Sequence, residues 1–178
     1  MDGVEIRLAT PQDYLAVGEL TVAAYVEDGH LAPGDDYLAE LRDVERRARE
    51  AEVWVAARDG VLLGAVTWCP PGSPWGELAR PGEGEFRTLA VSPAARGAGI
   101  GRALVERCLR RAREHGLDGT VLCTLPSQQT AHRIYERLGF VRDPERDWSP
   151  RPGMVLWAYC QRDEAAAETA RTTDPGEG

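Results

Sequence analysis

Residues 89–102 read Leu-Ala-Val-Ser-Pro-Ala-Ala-Arg-Gly-Ala-Gly-Ile-Gly-Arg. The apolar opening is the end of a strand. Ser92 and Pro93 break it, and Gly97, Gly99 and Gly101 lead into a helix whose Ile100, Ala103, Leu104, Cys108 and Ala112 share one face. Glycine lets the backbone come close to a ligand, while the first amides of a helix lack carbonyl partners and sit at the positive end of its dipole. A strand, a glycine turn and a helix start in this order make an anion site, suited above all to phosphate or pyrophosphate. Arg96 and Arg102 flank it and add charge-assisted contacts.

The spacing excludes two common phosphate binders. A dinucleotide fingerprint G-x-G-x-x-G begun at Gly97 needs glycine at 102, where Arg102 stands, and one begun at Gly99 needs it at 104, where Leu104 stands. A Walker-type loop needs lysine, and all 21 basic residues are arginine. Against 29 Asp and Glu they leave a net charge of −8, which argues against a nucleic-acid surface. The 178 residues suit one domain. Cys69, Cys108, Cys123 and Cys160 form no C-x-x-C pair, and His30, His115 and His132 show no ligand spacing to them, so neither a metal site nor a disulfide framework is expected. The opening residues carry Asp2 and Glu5 and alternate like a strand rather than a signal peptide, and no apolar run approaches the ~20 residues of a membrane span. The expectation is a cytoplasmic chain with reduced thiols and no membrane partner.

Along the chain, Val4 to Leu8 alternates as a half-buried strand. Thr10-Pro11-Gln12-Asp13 starts a helix that runs to about Glu27, with Asp13 closing a capping box on Thr10. A second helix is expected from Tyr37, with Leu38, Leu41, Val44 and Ala48 inward and Arg42, Asp43, Glu45, Arg46, Arg47, Arg49 and Glu50 on a solvated face. Strands at 52–58 and 61–68 are joined by Asp59-Gly60 in a hairpin. Residues 70–84 form a Pro- and Gly-rich connection carrying Trp75, a surface loop or a lid over a site. A strand at 85–91, the helix at 100–114, a strand at 120–125 and a helix capped by Ser127 and stopped at Gly139 follow. The last strands lie at 140–141 and 154–160, around a polar excursion. The domain thus spans 1–161, and the Ala-, Glu- and Thr-rich residues 162–178 are expected to be a disordered acidic tail.

With these elements in place, the chain resembles the GNAT superfamily of acyl-CoA-dependent N-acyltransferases. Arg96-Gly97-Ala98-Gly99-Ile100-Gly101 matches that family's [Q/R]-x-x-G-x-[G/A] signature. Leu89-Ala90-Val91-Ser92-Pro93 lies upstream of it, and Ala131-His132-Arg133-Ile134-Tyr135-Glu136-Arg137-Leu138-Gly139-Phe140, like A-x-x-x-Y-x-x-L-G-F, lies downstream. The match is sharp over 85–141 and architectural over 4–84. It implies an α/β fold with a central mixed, mostly antiparallel sheet flanked by helices, and acetyl-CoA as cosubstrate. The pantetheine arm would lie along Leu89, Ala90 and Val91, and the pyrophosphate on the amides from Gly97 to Arg102. Gln128 stands where the family often has Asn, with Ala131 beside it.

The resemblance implies N-acetyl transfer from acetyl-CoA to a primary amine of a small molecule or peptide, by direct attack in a ternary complex and without a metal. The alternative from another class is a catalytically silent CoA-binding regulatory module. An ammonium must shed a proton before attacking a thioester, and the leaving thiolate must gain one. Glu85, where several family members carry a catalytic glutamate, is the expected base, its alternative a strand carboxylate exposed or paired with Arg87. Tyr135, on the inward stripe with Ala131, Ile134 and Leu138, is the expected acid, its alternative a packing tyrosine. Tyr25, Asp28, His30, Asp35 and Asp36 fall where the family borders its acceptor pocket, and Trp75, Trp148 and Tyr159 are further candidates for its walls. Trp54, Trp68 and Trp157 alternate into the core, and His132 is expected to be exposed. The resemblance leaves a homodimer open.

Overall fold

A computed structural model of the protein describes residues 2–162. The elements are β1 (Glu5–Leu8), α1 (Tyr14–Glu27), α2 (Tyr37–Arg42), α3 (Val44–Glu50), β2 (Glu52–Arg58), β3 (Val61–Cys69), β4 (Glu83–Val91), α4 (Ile100–Glu114), β5 (Gly119–Thr124), α5 (Gln129–Arg137), β6 (Val141–Arg142), β7 (Trp148–Arg151) and β8 (Met154–Arg162). The sheet order is β1-β2-β3-β4-β5-β8-β6, with β7 pairing β8. Only β4 and β5 run parallel, so the expected mixed, mostly antiparallel sheet is present. The acidic tail falls outside the described residues beyond Arg162.

Strand alternation divides the core between the two faces of the sheet. Trp54, Ala56, Val66, Trp68 and Phe86 pack with Ile100, Leu104 and Cys108 of α4. Val53, Val55 and Ala65 point the other way, against Val17 of α1 and Val44 of α3. Covered on both sides, β2 and β3 are buried almost throughout, which is why they read as nearly continuous apolar runs. The hairpin between them turns at Asp59 (φ 50°) and Gly60 (φ 79°), both left-handed as the Asp-Gly pair predicts. At the other helix start, Asp13 Oδ2 accepts from the Thr10 amide and hydroxyl, each at 2.7 Å, and pairs with Arg7 at 2.6 Å.

Three local expectations are corrected. The second helix is two, broken at Asp43 (ψ 63°), whose side chain accepts the Arg46 amide at 3.1 Å and so caps α3. The break rolls Arg47 off the solvated face: it is 1% exposed, with Nη2 donating to the Leu41 carbonyl at 3.3 Å. Helix α5 is capped by Gln128 in place of Ser127. The polar excursion holds strand β7, which folds back on β8 through Trp148–Leu156 and Arg151–Met154 pairing.

The feature that positions the site is a divergence in the middle of the sheet. Strands β4 and β5 pair from Glu83–Gly119 to Phe86–Leu122 and no further. There β4 bulges: moving from Ala65 to Thr67 on β3 takes β4 from Ala90 to Arg87, one residue extra, and Thr88 takes φ 51°. Its hydroxyl is held by that of Thr67 at 2.7 Å. A V-shaped opening between the two strands results.

Candidate active site

Below the V, Gly97 (φ 77°) and Gly99 (φ 82°) make the left-handed turns that deliver the chain into α4. Among the described residues, no backbone carbonyl accepts from the amides of Gly99, Ile100, Gly101 or Arg102, the free set an anion needs. A cleft of about 440 Å³ runs from this turn into the V. Leu89, Ala90, Val91, Arg96 and Gly101 line one wall and Gln128, Ala131 and Ile134 the other. Seven of the residues expected to hold the cofactor therefore share one cleft. Of the rest, Gly97, Ala98 and Gly99 form its turn, and the Ile100 side chain belongs to the core at 1% exposure. Arg102 departs from expectation: its guanidinium turns along α4 to Glu106 at 2.8 Å.

Residues of the α1–α2 turn reach across this cleft. Asp28 pairs with Arg96 at 3.0 Å, and His30 Nδ1 lies 3.1 Å from the Ser127 hydroxyl. Both Asp28 and His30 thus line this cleft.

A second cavity, of about 490 Å³, opens on the far side of the V. Its walls come from Tyr25 of α1, Tyr37 and Glu40 of α2, Arg87 and Thr88 of β4, Cys123 of β5 and Trp148 and Leu156 of the β7–β8 hairpin. Tyr25 and Gln128 line both cavities and mark where they meet. Gln128 Oε1 accepts from the Thr124 hydroxyl at 2.7 Å and the Leu125 amide at 3.0 Å, which fixes the side chain and leaves its amide group as donor. Asp36 joins the rim, while Asp35 ties the hairpin down by pairing with Arg151 at 2.5 Å. Of Trp75, Trp148 and Tyr159, only Trp148 lines this cavity. Trp75 is clamped outside it, Nε1 to Glu50 at 2.7 Å and ring under Arg46, and Tyr159 packs on His132.

Tyr135 is 4% exposed, its ring packed against Phe86, Phe140 and Tyr159. Burial, with Tyr25 and Cys123 next in effect, holds its phenol well above the ordinary range, so it stays protonated; like Glu85, it is not among the residues lining either cavity. His132 is corrected from exposed to buried: it is 7% exposed, stacks on Trp157 at 5.6 Å and lies 3.1 Å from the Leu125 carbonyl through Nε2. Burial pushes its ionisation down.

Glu85 sits at 0% exposure beneath the 70–82 connection and lines neither cavity. Its Oε2 accepts three successive amides, Glu77 at 2.8 Å, Leu78 at 2.7 Å and Ala79 at 3.1 Å. Arg87 pairs with Glu77 at 3.1 Å, and donates to the Trp75 carbonyl at 2.9 Å. The connection is thereby strapped from several sides, with Ser73 on the Glu50 carbonyl at 2.9 Å and Arg146 on the Leu78 carbonyl and Glu83. Glu77, on the wall of the second cavity, had no signal in the sequence, since an aperiodic loop does not say which side chain turns inward.

The profile of the Acetyltransferase (GNAT) family matches residues 15–140. A mycothiol acetyltransferase of Cellulomonas flavigena is 38% identical over 151 residues, which cover 79% of this chain and 41% of that protein. The chain thus spans less than half the length of that relative. A GNAT-family acetyltransferase from Staphylococcus aureus superposes with a TM-score of 0.71 at 15% identity, over 89% of this chain and 98% of the other. One from Brucella melitensis, solved with acetyl-CoA, does so with a TM-score of 0.60 at 26% identity, over 89% and 87%. The chain belongs to the GNAT acetyltransferase family.

Proposed function

We propose that the protein transfers an acetyl group from acetyl-CoA to a primary amine. The observation that carries this reading is the meeting of two cavities at Tyr25 and Gln128, one starting from the free amides of α4 and the other open to solvent on the far side of the V. The pyrophosphate is assigned to the amides of residues 97–102 and to Arg96, and the pantetheine arm to Leu89–Val91 opposite Gln128 and Ala131. The thioester then falls at the junction, its carbonyl oxygen against the backbone of residues 89–91, where polarisation by fixed amides favours attack. Tyr135, kept neutral by burial, supplies the proton to the leaving sulfur.

A covalent route through Cys123 is disfavoured, because burial pushes its thiol up to about 11 and leaves little thiolate at neutral pH. Cys69, Cys108, Cys123 and Cys160 are all free thiols. Among the described residues no helix is long and apolar enough to cross a membrane.

Calorimetry with acetyl-CoA and a thiol-release assay over a panel of primary amines test the reading together. Acetyl-CoA binding with amine-dependent thiol release is expected. Binding without release for any amine would favour the silent regulatory module. A side chain at Gly101 would press on Ile134 at 3.2 Å and Val91 at 3.5 Å, so Gly101→Val is expected to abolish acetyl-CoA binding while the protein stays folded. Unchanged affinity in that variant removes the assignment of the cleft.

A further inference from the structure

We propose that Glu77 is the group that accepts the proton of the amine, and that Glu85 is a positioning residue holding it in place. The inference rests on the acetyl-transfer reading above and deepens it. Four carboxylates lie near the V: Asp36, Glu40 and Glu77 line the second cavity and Glu85 does not, and of the three on the wall Glu77 is the one held by a β4 side chain, through Arg87 at 3.1 Å. Glu85 has no opening to either cavity, and its Oε2 is fully engaged by the amides of residues 77–79. Its Oε1 is buried without a partner, so the side chain has no access to an incoming ammonium. The Glu77 side chain is 30% exposed and lines the second cavity.

The loop around Glu77 is built to hold that orientation. Three amides converging on one buried carboxylate form an inverted anion nest, in which the protein supplies its own anion. Arg87 then bridges the Trp75 carbonyl and Glu77 Oε1, fixing the side chain as the nest fixes the backbone. Thirteen residues of aperiodic connection would not otherwise present one carboxylate reproducibly. Charged and titratable groups near Glu77 come from each neighbouring element: Arg87 and Glu85 on β4, Glu40 and Tyr37 on α2, Cys69 on β3 and Cys123 on β5. Burial raises its affinity for a proton, and Arg87 offsets part of that effect, so the net shift makes it a better base than a carboxylate in water.

The step balances without another reactant. One proton passes from the ammonium to Glu77, and the freed nitrogen lone pair forms the C–N bond to the thioester carbonyl carbon. The C–S bond breaks with its electron pair on sulfur, which takes a proton from Tyr135. The second nitrogen proton restores the phenol, and Glu77 releases its proton to water, giving amide, free CoA and one proton.

The test compares kcat and KM against pH for wild type, Glu77→Gln, Glu77→Asp, Glu85→Gln and Glu85→Ala, with phenethylamine and spermidine as acceptor probes and calorimetry for acetyl-CoA. Glu77→Gln is expected to lower kcat on the order of 10²-fold, to erase the acid limb of the profile and to leave acetyl-CoA affinity unchanged. Glu77→Asp restores the limb in part. Glu85→Gln, whose amide oxygen still accepts the nest amides, keeps the limb, whereas Glu85→Ala loses kcat and displaces it. Loss of the limb in Glu85→Gln with its retention in Glu77→Gln overturns the proposal, as does a Glu77→Gln protein altered in KM alone or in neither parameter. Wild type that binds no acetyl-CoA, or turns over no amine, instead fails the acetyl-transfer reading itself.

Discussion

Asp28 Oδ1 lies 3.0 Å from Arg96 Nη2 across the cleft at the glycine turn. The carboxylate belongs to the end of α1 and the guanidinium to the glycine turn, so an anion bound on that turn competes with Asp28 for Arg96. Freed of this partner, Arg96 is available to phosphate without first breaking a contact. Asp28→Asn is therefore expected to tighten acetyl-CoA binding, by about two- to fivefold given that exposed ion pairs are worth up to about 1 kcal/mol. Calorimetry at two salt concentrations checks it, and weaker binding in the variant would mean that Asp28 contributes to the cleft rather than competing within it.

Tyr135→Phe preserves the packing against Phe86, Phe140 and Tyr159 while deleting the proton donor. Turnover is expected to fall on the order of 10²-fold with acetyl-CoA affinity nearly constant. Wild-type turnover in the variant, measured by thiol release, would reduce Tyr135 to a packing residue.

Arg47 offers a stability test away from the chemistry. Its Nε and Nη1 are buried without partners, and a single bond to the Leu41 carbonyl anchors the group. Burying an unpaired guanidinium costs more than one such bond returns. Arg47→Met, which keeps the stem and removes the charge, is expected to hold or raise the melting temperature, and a drop of more than a few degrees would contradict it.

His132 is expected to make stability depend on pH. Burial lowers its ionisation in the folded chain relative to the unfolded one, so the unfolded state binds more protons as the pH falls. The neutral ring's contribution is complete above the unfolded value, about 6.5, and is lost as the pH falls toward the lower folded value. His30 is shifted the same way, again mainly by burial. Melting temperatures from pH 8 to pH 5 should decline in wild type and decline less in His132→Phe, which retains an aromatic ring against Trp157. Parallel curves for the two proteins would exclude this origin.

What the sequence by itself determined is whatever a short stretch decides alone. The Asp59-Gly60 hairpin, the left-handed Gly97 and Gly99, and the helix from Ile100 to Glu114 follow from local backbone preference and period, and the structure has each in place. The cleft at the glycine turn was legible for the same reason, since a strand, a glycine turn and a helix start are contiguous in the chain. Side-chain direction was not legible where the covering element comes from far away. Glu85 is in an ordinary strand position, and only the docking of residues 77–79 over it makes its carboxylate a loop anchor and turns Glu77 to the cavity. Arg47 looks solvated on an unbroken helix and is buried because the chain breaks at Asp43. His132 lies off the apolar stripe, yet Trp157 and Tyr159 of β8 arrive to cover it. Period and propensity describe one element at a time, whereas burial and the partner of a charge are properties of two, so the tertiary structure alone decided which carboxylate lines the second cavity.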